Sequence, residues 1–244
     1  MLAVIYKEKN ELKVALEHQN KALEIQENIL STQDIDLAKS YSHISVIYSN
    51  LAELDRGLQY QNKAIAIYEN NPTYSMADLA AIYNNLSTIY LKIYEKDKNS
   101  KENIDNALIY QEKSLLIAER ILPEDHPSIG ISYNNLSSIY KYKGNLKKSL
   151  DYQLIGSKHL EKVFSVSHPI LVRQYGNLAR IYIDMKECMK AKEFLLKASK
   201  ILEHLDYIHP DINVIANNLK TIEADIKKQK KAKYKNKGRF CKEE

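Results

Sequence analysis

A tyrosine recurs at positions 6, 48, 90, 140 and 182, and its neighbourhood recurs with it. The octapeptide from Tyr83 to Tyr90 (YNNLSTIY) reappears from Tyr133 to Tyr140 as YNNLSSIY, with looser copies from Tyr41 to Tyr48 and from Tyr175 to Tyr182. The steps are 42, 42, 50 and 42 residues, so one supersecondary unit is written several times over. A period of that length marks a solenoid in which each unit packs only on its neighbours, and it excludes most compact enzyme folds.

The segment from Pro127 to Phe164 shows what the unit is. Pro127 suits a first helical turn, where its missing N–H has no intrahelical partner to lose, and it pushes His126 out of the α region. Ile129, Tyr133, Leu136, Ser137 and Tyr140 follow at the three-and-four spacing of a helix stripe. Gly144 and Asn145 break that helix, and a second starts at about Leu146 with Leu150, Leu154, Ile155 and Leu160 as its apolar positions. The five prolines, at 72, 123, 127, 169 and 210, all fall between such pairs. The unit is an antiparallel helix pair, and the chain is all-α.

Three stations are small in every copy. In the first helix they are Ala3, Ser45, Ser87, Ser137 and Ala179; early in the second, Ala15, Gly57, Ala107, Ser149 and Ala191; seven residues on, Ala22, Ala64, Ser114, Gly156 and Ala198. Side chains of that size let two helices approach to the short end of the packing range.

This register resembles the tetratricopeptide repeat in its 42-residue, kinesin-light-chain-like form, over roughly residues 1–226. Tyrosine stands where tryptophan is common in the first helix, and Gln19, Gln61, Gln111 and Gln153 stand where an aromatic is common in the second. The resemblance implies a right-handed α-solenoid with the first helices lining a concave face. It divides the chain into a truncated first repeat (1–31), repeats at 32–71, 72–122, 123–164 and 165–206, a capping helix (207–226) and a basic tail (227–244).

The third repeat carries an eight-residue insertion around Glu95–Glu102, whose charged composition predicts a longer solvated turn. The cap keeps an apolar stripe of Ile212, Ile215, Leu219, Ile222 and Ile226, while Lys220 and Glu223 replace its small residue and tyrosine. A polar outer face is what an array needs to end in water. Met1 aligns inside a first helix, so the sequence reads as a piece of a longer protein or as an array whose raw end packs on something; the partly uncovered second helix predicts self-association through that end.

The net charge of +5 is unevenly placed. From Lys227 onward nine basic residues face two acidic ones, leaving 27 basic against 29 acidic in the repeat body. The tail reads as a frayed, solvated extension, with contact to nucleic acid or an acidic surface as the alternative. Two cysteines build no disulfide framework, and neither a secretory signal nor a run long enough for a membrane span is present, so the chain reads as cytoplasmic.

No phosphate-cradling loop, nucleophile–base spacing or ligand cluster points to catalysis, a cofactor or a metal. His126, His168 and His209 each precede a proline and read as boundary residues rather than ligands.

The binding candidates follow from the resemblance, which places the first helices on the concave face. They are His43, Asn84, Asn85, Asn134, Asn135, Asn177, Asn217 and Asn218, with Arg173 and Arg180 on one helix. Asparagine weakens a mid-helix position by roughly half a kcal/mol relative to alanine. Its amide pairs with both the C=O and the N–H of one peptide unit, as several peptide-binding members of the family use it. The arginines suit a carboxylate or phosphate. The chain therefore reads as a scaffold for a protein or peptide partner, with a sensor segment of a larger ATPase or protease as the alternative.

Overall fold

The computed structural model describes residues 11–71, 75–205 and 211–240, with side chains to residue 228. Ten helices are described: α1 (Leu12–Ile29), α2 (Ile35–Asn50), α3 (Leu54–Asn70), α4 (Met76–Lys96), α5 (Lys101–Ile121), α6 (Pro127–Tyr142), α7 (Leu146–Val163), α8 (Pro169–Asp184), α9 (Cys188–Leu202) and α10 (Ile212–Phe240). They form two compact units, residues 1–124 with α1–α5 and residues 125–244 with α6–α10. Within each unit, antiparallel pairs stack in chain order: α2 with α3 and α4 with α5, then α6 with α7 and α8 with α9, with α10 against α9. The truncated first helix and the self-association expected there rest on residues 1–10, outside the described residues.

Helix starts follow local chemistry. Asp34 and Ser75 cap α2 and α4 with side-chain oxygens. Before α6 and α8 the cap is a histidine. His126 Nδ1 accepts from the Ser128 N–H at 3.3 Å, and His168 Nδ1 from the Ile170 N–H at 3.1 Å. With Pro127 and Pro169 at the first helical turn, His-Pro works as a helix-start signal.

The recurring tyrosine also marks the turn inside a pair. The carbonyls of Tyr48, Tyr140 and Tyr182 accept from the N–H of Glu53, Asn145 and Glu187 at 3.0, 2.9 and 2.8 Å. This six-residue closure puts one turn residue in the left-handed region. Those residues are Ala52 (φ 62°), Gly144 (φ 76°) and Lys186 (φ 63°), and only Gly144 adopts that conformation without steric cost.

The small stations hold the helix crossings. Of the fourteen that are described, all but Ala22 are buried. The serines do more than yield space: Ser45, Ser87 and Ser137 donate to the carbonyls of Gly57, Ala107 and Ser149 at 2.7, 2.8 and 2.7 Å. The residue that lets the helices approach thus also bonds the partner helix's backbone. Ser114 donates to the Ala80 carbonyl at 2.8 Å, so the third station packs on the early part of its own pair's first helix. At Gly156 the approach is closest, since a Cβ there would meet the Gly130 carbonyl oxygen at 2.7 Å and also Asn134 Oδ1.

Beside these crossings the aromatics form one three-ring cluster per repeat. Tyr60 lies 6.0 Å from Tyr41 and 5.6 Å from Tyr48, and Tyr110, Tyr152 and Phe194 each sit likewise between two first-helix tyrosines. Lysines lie over these rings, as with Lys63 on Tyr41 and Tyr60 and Lys197 on Tyr175 and Phe194. Exposed cation–π contacts of this kind contribute about 0.5–1 kcal/mol. Successive repeats are latched by the Tyr41 hydroxyl donating to Glu27 at 2.8 Å and that of Tyr83 to Glu69 at 3.3 Å. Burial, then the bond to Glu27, pushes the Tyr41 hydroxyl's pKa up to about 12. Tyr175 is raised to about 12 in the same way, by burial and by Glu161.

Two elements differ from the sequence reading. The insertion does not form a long turn. α2 ends two residues past Tyr48 and α4 six past Tyr90, while α3 begins three before Gly57 and α5 six before Ala107. The added residues lengthen both helices and leave only 97–100 between them. The extension carries Lys92 and Lys96, whose Nζ atoms donate to the carbonyls of Ser49 (3.2 Å) and Ala52 (2.9 Å) at the end of α2. Cations are favoured at that negative helix end, and burial holds the Lys92 pKa below its ordinary value.

At the C-terminus, α10 runs without a break to Phe240, so most of the tail read as frayed is helix. Ile215 and Ile222 are buried against α9, and Lys192 pairs with Glu223 at 2.7 Å. A helix nucleated by that packing propagates further residues without a new nucleation step.

Gly156→Leu should lower stability by roughly 1–3 kcal/mol or more through overpacking, while Lys158→Leu on the exposed side of α7 should stay within about 0.5 kcal/mol; thermal melts of both check the register. Lys186→Gly should raise the melting temperature and Gly144→Ala lower it, each by about 1 kcal/mol or somewhat more in stability, because the turn conformation is the same at both sites.

Candidate functional site

The candidate residues separate by unit and by what their side chains already bond. In the first unit, on α2 and α4, His43 is exposed and Asn84 and Asn85 are half-buried. The Asn85 Nδ2 donates to Ser42 Oγ at 3.4 Å, and Gln61 Nε2 reaches the same hydroxyl at 3.3 Å. Asn85 therefore ties two first helices together.

In the second unit Asn134 is not on an open face. It is 7% exposed, and its Oδ1 accepts from Gln153 Nε2 at 2.9 Å, which also donates to Gln174 Oε1 at 2.9 Å. This buried polar network accounts for the glutamine at a station where an aromatic is common: its amide bridges two first helices, as Gln61 does from Ser42 to the Ile82 carbonyl. Asn134 thus belongs to the packing and is withdrawn from the binding surface.

Gly176 occupies the counterpart of Asn134 one repeat on, and Ile215 packs beside it, 3.2 Å from where a Cβ would stand. The space between α8 and α10 measures about 560 Å³ and is lined by Arg173, Gly176, Asn177 and Arg180 from α8, by Asp211 just before α10, and by Val214, Ile215 and Asn218 from α10. Arg173, Asn177, Arg180 and Asp184 recur at intervals of four, three and four, one face of a helix. Asn177 and Arg180 also border a second space of about 140 Å³ with Ser138, Lys141 and Tyr142 of α6. Asn135 and Asn217 border neither space.

What distinguishes the larger cleft is unspent polar capacity. Among the described residues, the Arg173 and Arg180 guanidinium groups make no ion pair or hydrogen bond, nor do the Asn177 and Asn218 side-chain amides. Asp184 is already neutralised by Lys141 at 2.9 Å. The lining is therefore cationic on balance, with amide donors and acceptors between the charges.

Lys141, Asp184 and Asp211 were not among the sequence candidates. The first two lie seven residues after Asn134 and Asn177, so continuing the helical stripe for two more turns points to them. Asp211 lacks such a signal because it precedes α10 and lies on no helical stripe.

Comparison with known proteins agrees with this architecture. Models described as tetratricopeptide repeat match residues 99–128 and, separately, 1–29 and 38–71. No curated protein matches the chain. Among solved structures, BtubC from P. vanneervenii aligns with a TM-score of 0.70 at 20% identity, covering 86% of this chain and 80% of that one. A kinesin light chain repeat protein from Podosopora anserina aligns at 0.67 and 19% identity, covering 82% and 91%. A signal transduction ATPase with a tetratricopeptide repeat sensor, from Pyrococcus horikoshii, aligns at 0.66 and 22% identity, covering 82% of this chain and 28% of that one.

Asn134→Ala should destabilise the fold by about 1 kcal/mol, since the buried Gln153 amide loses an acceptor. Asn177→Ala and Asn218→Ala should leave the melting temperature unchanged or slightly higher, because alanine is the better helix former; parallel denaturation curves separate the two classes.

Proposed function

The chain is a tetratricopeptide-repeat protein whose repeats share the fold of kinesin-light-chain-like repeats, and from that premise we propose that its α8–α10 cleft captures a peptide segment of a partner protein. The repeats make the chain a protein-interaction scaffold. The observation that carries the finer reading is the set of four unpaired groups, Arg173, Asn177, Arg180 and Asn218, on one cleft.

An extended peptide presents alternating C=O and N–H groups, and an asparagine amide satisfies one of each. Asn177 and Asn218 face the cleft from its two walls and hold such a chain with little regard to its sequence. Arg173 and Arg180 favour a segment carrying acidic side chains through charge-assisted bonds. The cleft volume lies within the ordinary range for ligand sites. The apolar wall of Val214 and Ile215 takes a small aliphatic side chain.

A second reading is favoured by the alignment to 28% of the Pyrococcus ATPase. In it, these repeats act as the sensor segment of a larger regulatory protein. The mass of the endogenous product in an immunoblot, compared with 28.2 kDa, discriminates the two.

Screening a peptide array with the full chain tests the cleft. The doubly substituted Asn177→Ala, Asn218→Ala chain should bind the selected peptides at least about tenfold more weakly, as expected for loss of two net hydrogen bonds. Unchanged affinity in that variant, with an intact melt, overturns the cleft reading.

A further inference from the structure

The last fourteen residues of α10, from Lys227 to Phe240, contain eight basic residues and no acidic one. They continue the helix beyond Ile226, which packs against the core of the second unit. At 1.5 Å per residue this segment is about 21 Å long, with one positive charge roughly every 2.6 Å of axis. Lys227 and Lys231, Lys231 and Lys235, Lys233 and Lys237, and Lys235 and Arg239 are like-charge pairs four residues apart. Such pairs weaken a helix. A dense array of opposite charge relieves that repulsion and stabilises the helical form.

We propose that this segment is a binding element for double-stranded nucleic acid, recognised through its phosphates without sequence preference; this is independent of the peptide cleft. Duplex DNA carries one negative charge per about 1.7 Å of axis, and its major groove admits an α-helix. A membrane surface fits less well. An interfacial helix needs an apolar face, whereas Ala232, Tyr234 and Phe240 are the only apolar or aromatic side chains in these fourteen residues, too few to make one. Single strands are read by stacking on aromatic platforms, and Tyr234 and Phe240 are the only aromatics in the segment. Asn236 and Gln229 are its only side-chain amides, too few for a base-reading code.

The test is fluorescence anisotropy of the full chain with a labelled DNA duplex of about two helical turns, between about 50 and 200 mM salt. Affinity should fall log-linearly with a slope steeper than about −4, and the duplex should increase helical ellipticity. Replacing Lys230, Lys231, Lys233 and Lys235 with Gln should make the slope shallower by about 3 to 4. Arg173→Gln with Arg180→Gln should leave duplex binding intact. The proposal is overturned by no duplex binding at the lowest salt or by an unchanged slope in the lysine variant. It is equally overturned if phosphatidylserine vesicles bind as tightly as the duplex, or if the arginine pair proves responsible.

Discussion

Everything in this molecule depends on how closely two helices of a pair can approach. Where Gly156 passes Gly130, no side chain separates the backbones, and a single added carbon would meet a carbonyl oxygen at 2.7 Å. Where serine replaces glycine or alanine, its hydroxyl spans the gap and bonds the facing carbonyl, at Ser45, Ser87 and Ser137 alike. Close approach brings the tyrosines of one helix onto the ring of the next, and so builds the aromatic clusters that give each repeat its width. A repeat protein is stabilised by the sum of such units and their nearest-neighbour interfaces. The crossing geometry is therefore what every later contact is built on.

Successive repeats share continuous apolar clusters, as from Leu23 through Ile44 and Tyr68 to Leu86, and polar links are added to them. Tyrosine hydroxyls reach back to glutamates, the Gln61 and Gln153 amides bridge successive first helices, and Lys92 and Lys96 cover the carbonyl end of the preceding one. Buried groups of this kind are favourable when paired, as at Gln153, whereas Gln61 Oε1 and both amide atoms of Gln111 are buried without a partner among the described residues. The network consumes some of the polar side chains that face the helix stack. Asn134 is consumed by Gln153, whereas one repeat later Gly176 stands at its place with Ile215 packed beside it, and Asn177 is unbonded. The candidate cleft lies where α10 packs beside α8, with Asn177 and Asn218 on its walls.

Much of the fold was legible beforehand, and for identifiable reasons. Pro127, Pro169, Gly144 and Asn145 mark boundaries through backbone restrictions that act within a few residues, and α6 and α7 begin where they indicate. The insertion was misjudged because a charged composition is compatible with a solvated turn and with the exposed side of a lengthened helix alike. Lys92 and Lys96 adopt the second form because the end of α2 supplies carbonyls for them. The same ambiguity concealed the helical continuation of α10, whose nucleus is packed apolar surface and not local propensity.

The sequence by itself determined the repeat, its period, its antiparallel helix pairs and the stations where they touch, since sterics and periodicity are properties of short segments repeated in register. Which of ten polar candidates stand open was decided by tertiary structure alone. Asn85, Asn134 and Asn177 look alike in the linear chain, yet one bonds Ser42, one is buried on Gln153 and one lines a cleft with two unpaired arginines. A side-chain amide is satisfied or left available by neighbours more than a dozen residues away, and no local rule contains them.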